Sequence, residues 1–240
     1  MFHPCGPTFR ELVKQALSST ERGYDLLAPK FAYTPFRTPD EIITTALSCL
    51  DSTGALATAL DMCCGTGAAM RHLRPRCRDR VVGIDFSQGM LDIARRCTAA
   101  APGDAAIELV RGNVLHMPFR AAFDVAVCFG ALGHILPAEQ SLFVAQVAKV
   151  LKPGGRFIFV TTPMPSLWSR RYWFARGFNA VLHLRNAAIS PPFIMYYLTF
   201  LLSEAVALLA KHGFSVHVHH GMFAGRFQHL RLVIGVLEQG

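Results

Sequence analysis

The sequence predicts an α/β fold: a seven-stranded, mostly parallel sheet with helices on both faces. Three observations carry that prediction. Between residues 55 and 160, short apolar runs alternate with amphipathic stretches, the pattern of successive β-α-β units. Beyond residue 200, one more helical stretch and two apolar runs close the sheet. At 240 residues the chain exceeds the common single-domain length but falls short of two large domains, so a core with an appendage is expected.

Taken in order, Ala57 to Met62 reads as a short buried strand and Ala68 to Leu73 as the helix after its glycine turn. Val81 to Asp85 is the second strand, Ser87 caps a helix running to about Cys97, and Ile107 to Val110 is the third strand. Phe123 to Phe129 is the fourth. Pro137 opens a helix through Val150, and Lys152-Pro153-Gly154-Gly155 stops it and turns into the fifth strand, Arg156 to Thr161. Ser203 as N-cap, with Glu204 in the first turn, starts a helix to His212 that Gly213 ends; Phe214 to His219 and His229 to Leu237 are the last strands. Ahead of all these, Ser18 to Lys30 and Pro39 to Leu50 read as helices, the second capped by Thr38. They are expected over the sheet's carboxyl edge, where open α/β sheets bind ligands.

Composition narrows the function. Hydrophobic residues make up 52% and charged residues 17%, which excludes intrinsic disorder. Lys and Arg outnumber Asp and Glu by 24 to 16, so anionic partners come into question. The Arg clusters, at 71 to 80 and 170 to 176, match no nucleic-acid-binding module, which makes nucleic acid an unlikely partner. Seven cysteines with no C-x-x-C spacing supply no zinc signature and read as reduced thiols. With no basic stretch leading into an apolar run at the N-terminus, the expected location is the cytoplasm, free or at the membrane periphery. Phe193 to Ala210 imitates a membrane span, but Glu204 inside it and Pro191-Pro192 before it favour an extended entry and a buried helix.

Chemistry concentrates at three strand ends. Leu60-Asp61-Met62-Cys63-Cys64-Gly65-Thr66-Gly67 is a strand ending in an acid and a glycine turn before a helix, and glycine there lets a ligand approach the backbone. A dinucleotide fingerprint would want a third glycine where Met70 stands. Val81-Val82-Gly83-Ile84-Asp85 again ends in a carboxylate, which can accept from two ribose hydroxyls, and Arg111-Gly112-Asn113-Val114 follows the third strand. The plain alternative is that both acids only cap helices while Phe86 and Met90 fill the core. Asp124 reads as structural, and His217, His219 and His220, without a carboxylate or thiol beside them, read as strand positions and not as metal ligands.

At these residues the chain resembles the class I S-adenosylmethionine-dependent methyltransferases, over about 55 to 160. Asp61 to Gly67 looks like their first motif, Asp85-Phe86-Ser87-Gln88-Gly89-Met90-Leu91 like the second, and Gly112-Asn113-Val114-Leu115-His116-Met117-Pro118-Phe119 like the third. Leu151-Lys152-Pro153-Gly154-Gly155 resembles the turn before strand five, and the wording is closest to the menaquinone and ubiquinone C-methyltransferase branch. The resemblance implies a Rossmann-like sheet and S-adenosyl-L-methionine as cofactor. Asp61, Met62, Cys63, Gly65 and Gly67 would then surround its amino acid end, Asp85 its ribose, and Phe86 and Met90 its adenine. Asn113 and Val114 would read the adenine edge, and Phe129 and Gly130 would lie below the sulfonium. Cys63 stands where glycine is commonest and Asn113 where aspartate is usual, although an amide oxygen can still accept from an adenine amino group.

The remaining candidates rest on position. His134, beside the expected methyl, is either a general base or a packed loop histidine. Tyr24, Phe31, Tyr33 and Arg37 could close over the cofactor, with Arg37 or Tyr33 at its carboxylate, or simply form an exposed turn. Residues 163–197 mix Trp168, Tyr172, Trp173, Phe174, Phe178, Phe193, Tyr196 and Tyr197 with four arginines. That suits a lid over an apolar acceptor, a patch on an anionic membrane, or a helical cap over its own core. Thr161-Thr162-Pro163 stands where the quinone branch would carry an acid.

The expected organisation is therefore an N-terminal helical cap (1–52), a cofactor-binding core (53–162), an acceptor-side insertion or lid (163–200) and closing elements (201–240). The expected activity is methyl transfer by in-line displacement to a small apolar or aromatic acceptor, which needs alignment and no protein nucleophile. A nicotinamide-dependent oxidoreductase and a non-catalytic, membrane-associated cofactor binder are the alternatives.

Overall fold

The computed structural model describes residues 3–50 and 56–238; the expected boundary between 52 and 53 lies outside them. Seven strands form one sheet: β1 (Leu56–Met62), β2 (Cys77–Asp85), β3 (Ala106–Arg111), β4 (Phe123–Cys128), β5 (Leu151–Thr161), β6 (Phe214–His219) and β7 (Arg231–Leu237). Their order is β3-β2-β1-β4-β5-β7-β6, with the first five parallel and β7 antiparallel to both neighbours. Continuous apolar runs in β1 and β4 are buried on both sheet faces, as parallel strands under helices require. Edge strand β3 alternates exposed and half-buried residues.

Helices α1 (Phe9–Ala16), α2 (Thr20–Leu27) and α3 (Asp40–Leu47) precede the sheet. The linking helices are α4 (Ala68–Leu73), α5 (Gln88–Thr98) and α6 (Gln140–Val150), followed by α7 (Arg170–Ala188) and α8 (Leu202–Lys211). One apolar cluster joins Leu60, Met62, Phe123, Phe143, Phe157 and Phe159; a second, containing Val81, Val125, Ile158 and Met70, also takes in Ile43 and Leu47 of α3. The N-terminal segment is thus tied into the core by about 1.5–3 kcal/mol for each large buried side chain.

Several boundaries differ from the expectations. Helix α1 was not anticipated, although Thr8 and Glu11 form a reciprocal capping box at its start. The stretch from Ser18 to Lys30 is α2, capped by Ser19, and then a 3-10 turn over Ala28–Tyr33, because Pro29 cannot continue the α-helical ladder. Thr38 does not cap α3; Pro39 occupies that place and the Thr38 hydroxyl faces Gly130. Likewise Leu201, not Ser203, precedes α8, and its side chain makes no cap bond. Strand β2 starts four residues early, at Cys77, and β7 starts at Arg231. Lys152 to Gly155 is no turn between elements: β5 begins at Leu151 and absorbs it as a bulge, with Gly154 in the left-handed region, between the pairs Phe123–Leu151 and Val125–Arg156. Asp124 is structural, accepting from the Ala57 and Thr58 backbone and pairing with Lys152 at 2.7 Å.

Candidate active site

The strand order reverses between β1 and β4, and there a cleft of about 740 Å³, counting space open to solvent, lies at the carboxyl ends of β1, β2 and β4. Ligands of open α/β sheets bind at such a switch point. The turn after β1 makes its floor. Cys63, Gly65 and Gly67 all have positive φ, so the chain folds back and exposes backbone to the cleft. A Cβ at Gly65 would meet nothing within 4 Å, whereas one at Gly67 would lie 2.9 Å from the Thr98 methyl. Gly65 therefore keeps a space open, and Gly67 lets α4 start against α5.

Two carboxylates face this turn. Asp85 accepts from Gly65 N at 2.8 Å and Ser87 N at 2.9 Å, clamping the turns after β1 and β2 together. Burial raises its pKa to about 6 against the opposing pull of those backbone donors. Asp61 is more perturbed: burial, and then the charge of Asp85, raise its pKa to about 8. Its Oδ2 is buried with no hydrogen-bond partner among the described residues. An unpaired buried carboxylate oxygen costs several kcal/mol, so a cationic donor in the cleft would relieve it. The thiols of Cys63 and Cys64 are pushed well above their usual range, the first chiefly by a hydrogen bond with Cys128 and the second by burial, so neither is a nucleophile.

The other wall comes from α2 and the loop after β4. The Tyr24 hydroxyl lies 2.9 Å from His134 Nε2, and His134 Nδ1 bonds the Ile194 carbonyl. The carbonyl can only accept, so Nδ1 carries the proton and Tyr24 donates to Nε2. Burial lowers the His134 pKa and raises that of Tyr24 far above the ordinary phenol value. Tyr24 also stacks on Phe193 at 6.4 Å and meets Phe86 edge-on at 6.3 Å, so α2, the turn after β2 and the segment after α7 converge on one ring.

Of the residues singled out by sequence, Tyr24, Phe31, Arg37, Asp61, Cys63, Gly65, Asp85, Phe86, Met90, Phe129, Gly130 and His134 line the cleft. Five are elsewhere. Met62 and Val114 are core, Gly67 packs under α5, Asn113 is exposed with its Oδ1 on Leu115 N, and Tyr33 stacks on His3 at 4.7 Å. Arg37 reaches the cleft edge but is held by Asp40 at 2.6 and 2.7 Å. Phe36, Thr38, Ile43 and Thr66 also line the cleft and were missed. So was Asp25, whose Oδ1 accepts from Ser87 Oγ at 2.6 Å and Gly89 N at 2.8 Å, docking α2 onto the start of α5. His217 and His219 are exposed on β6, away from the cleft.

Residues 59–155 match the methyltransferase domain family. Over this stretch, about two fifths of the chain, it resembles the class I S-adenosylmethionine-dependent methyltransferases. The chain is 35% identical over 109 residues to the demethylmenaquinone methyltransferase of Symbiobacterium thermophilum, covering 44% of this chain and 43% of that protein. Similarity to the Bacillus licheniformis protein of the same name is 31% over 144 residues, 58% of this chain and 60% of that one. The match thus spans about half the length of these curated relatives. Among solved structures, a DhpI complex with S-adenosylhomocysteine superposes with a TM-score of 0.65 at 19% identity, covering 97% of this chain and all of that one. The N-methyltransferase NodS of Bradyrhizobium japonicum, also with S-adenosylhomocysteine, gives 0.61 at 16% identity, covering 96% and 98%. At such identities these two speak for the shared fold.

Proposed function

We propose that this protein transfers a methyl group from S-adenosyl-L-methionine to a small, apolar acceptor that gives up a proton. The observation that carries the reading is the unpartnered Asp61 oxygen in a cleft with open space over Gly65. That site suits the ammonium of an amino acid, and Asp85 beside it suits vicinal hydroxyls. Phe86 and Met90 give an aromatic ring an apolar bed. When bound, the cofactor supplies an electrophilic methyl on a sulfonium, a good leaving group.

The chain's own part is alignment, exclusion of water and proton handling. Phe31, Phe36, Phe129 and Ala131 make the rest of the cleft apolar, which favours an acceptor of that character. His134 Nε2, neutral and fixed by Ile194, is the base we assign. Tyr24 keeps that lone pair oriented until an acceptor hydroxyl or acidic C–H displaces its hydroxyl. A quinone-type acceptor is supported by the names of the relatives alone. Thr161, where an acid would favour that substrate, holds the Phe200 carbonyl at 2.8 Å instead. Titration calorimetry with S-adenosylhomocysteine tests the cofactor reading: micromolar binding that Asp61→Asn abolishes is expected, and equal behaviour of both proteins overturns it.

A further inference from the structure

Helix α7 is apolar on two opposite sides. Ala175, Leu182 and the half-buried Phe178 face inward. On the other side, Trp173, Phe174, Val181 and Leu184 are 65–77% exposed, in an arc of about 100° that recurs every 3.6 residues. Just before the helix, Met164, Leu167 and Trp168 extend the patch, Trp168 being 96% exposed. The Trp173 indole N–H donates to the Leu167 carbonyl at 2.9 Å, fixing helix and loop as one surface. An outward apolar stripe of this size is not the face a solvated helix presents.

Charge identifies what covers it. From Gln140 to Ser203 the sequence contains no Asp or Glu. Arg170, Arg171 and Arg176 on α7 are exposed, and none makes an ion pair among the described residues. A second copy laid on this face would set arginine against arginine with no acid from α7 to offset it. An anionic bilayer satisfies both features: aliphatic groups enter the acyl boundary, Trp rings sit at headgroup level, and guanidinium groups meet lipid phosphate. No described helix is long and apolar enough to cross a membrane, so α7 would lie in the interface plane.

We infer that α7 and the 164–168 loop form a docking surface for an anionic phospholipid membrane. The surface is continuous with the cleft, because residues Phe193 to Tyr197, which follow α7, supply the ring stacked on Tyr24 and the carbonyl that fixes His134. Docking therefore brings the acceptor side of the protein to the phase in which an apolar acceptor dissolves. The inference does not depend on the proposed chemistry.

The chain carries its own probe. Its two tryptophans, Trp168 and Trp173, both lie on this patch, so intrinsic fluorescence reports from it alone. Titration with vesicles of phosphatidylglycerol and phosphatidylcholine should shift the emission to the blue, and flotation should recover the protein with the lipid. Pure phosphatidylcholine or raised salt should weaken binding at least tenfold. Leu184→Glu should abolish flotation, and Arg170→Gln and Arg176→Gln should each weaken it about fivefold, while S-adenosylhomocysteine binding by calorimetry stays unchanged in all three. No blue shift with anionic vesicles overturns the inference. So does equal affinity for neutral lipid, or a dimer in sedimentation that Leu184→Glu dissolves, which would make the patch a self-contact.

Discussion

The floor of the cleft and its roof are built on opposite principles. The floor, from the ends of β1 and β2, holds two buried acids, one with an unpartnered oxygen, on a turn with three positive φ angles. The roof, from α2, the loop after β4 and the segment after α7, is a satisfied network. Asp25 grips Ser87 and Gly89, Arg111 pairs with Glu21 at 2.6 Å, and Arg185 donates to the Ala16 and Ser18 carbonyls at 2.8 Å. Unfavourable charge burial is confined to the floor, whose work is to bind, and hydrogen-bonded order to the roof, whose work is to orient. Substitutions should therefore act with opposite signs on stability in the two places.

The largest expected effect is at Asp61. Asp61→Asn should weaken S-adenosylhomocysteine binding at least a hundredfold while stabilising the free protein at pH 8 by about 1–3 kcal/mol in urea unfolding. The folded pKa, about 8, is raised above the unfolded value near 4, so the wild-type penalty is absent below pH 4 and grows as pH rises toward 8. The stability difference should grow in the same direction, and a difference independent of pH would break the contrast. In the roof, His134→Ala should cut turnover about 10²–10⁴-fold, with binding of S-adenosylhomocysteine unaltered. Because burial lowers the His134 pKa, the acid limb of the wild-type pH–rate profile should lie below the pH at which an ordinary imidazole titrates.

Asp25→Ala should cost about 1–3 kcal/mol, since two donors lose a charged acceptor, and should raise KM for the cofactor by unseating Tyr24. The smallest effect is expected at Cys63. Its φ of 53° is strained for a side-chain-bearing residue, so Cys63→Gly should stabilise by about 0.5–1 kcal/mol without loss of binding. Destabilisation would mean that the Cys128 contact outweighs the strain.

Legibility in the sequence followed the same division. β1, β2 and β4 could be read because burial on both faces writes an uninterrupted apolar run, and Asp61 and Asp85 because each ends such a run before a glycine or serine turn. The bulge in β5 was unreadable, since Pro153-Gly154-Gly155 has the composition of a turn and only pairing with β4 shows otherwise. Capping failed where a hydroxyl residue stood one place from the true cap, as at Thr38, or two, as at Ser203. Asp25 carried no local signal at all. Its partners lie more than sixty positions along the chain, and within α2 it looks like any solvated helix acid.

The seat of β7 has one more consequence. This strand slots between β5 and β6, antiparallel to both, so β6 has no partner, and β5 none beyond β4, until residues 231–237 have been synthesised. Until then a nascent chain leaves the edge of β5 unsatisfied, including the fully buried Phe157, Ile158 and Phe159. The interval before β7 is made, not cofactor loading, is then the step at which this molecule is most exposed to aggregation, and the moment when a chaperone holding that edge would matter most.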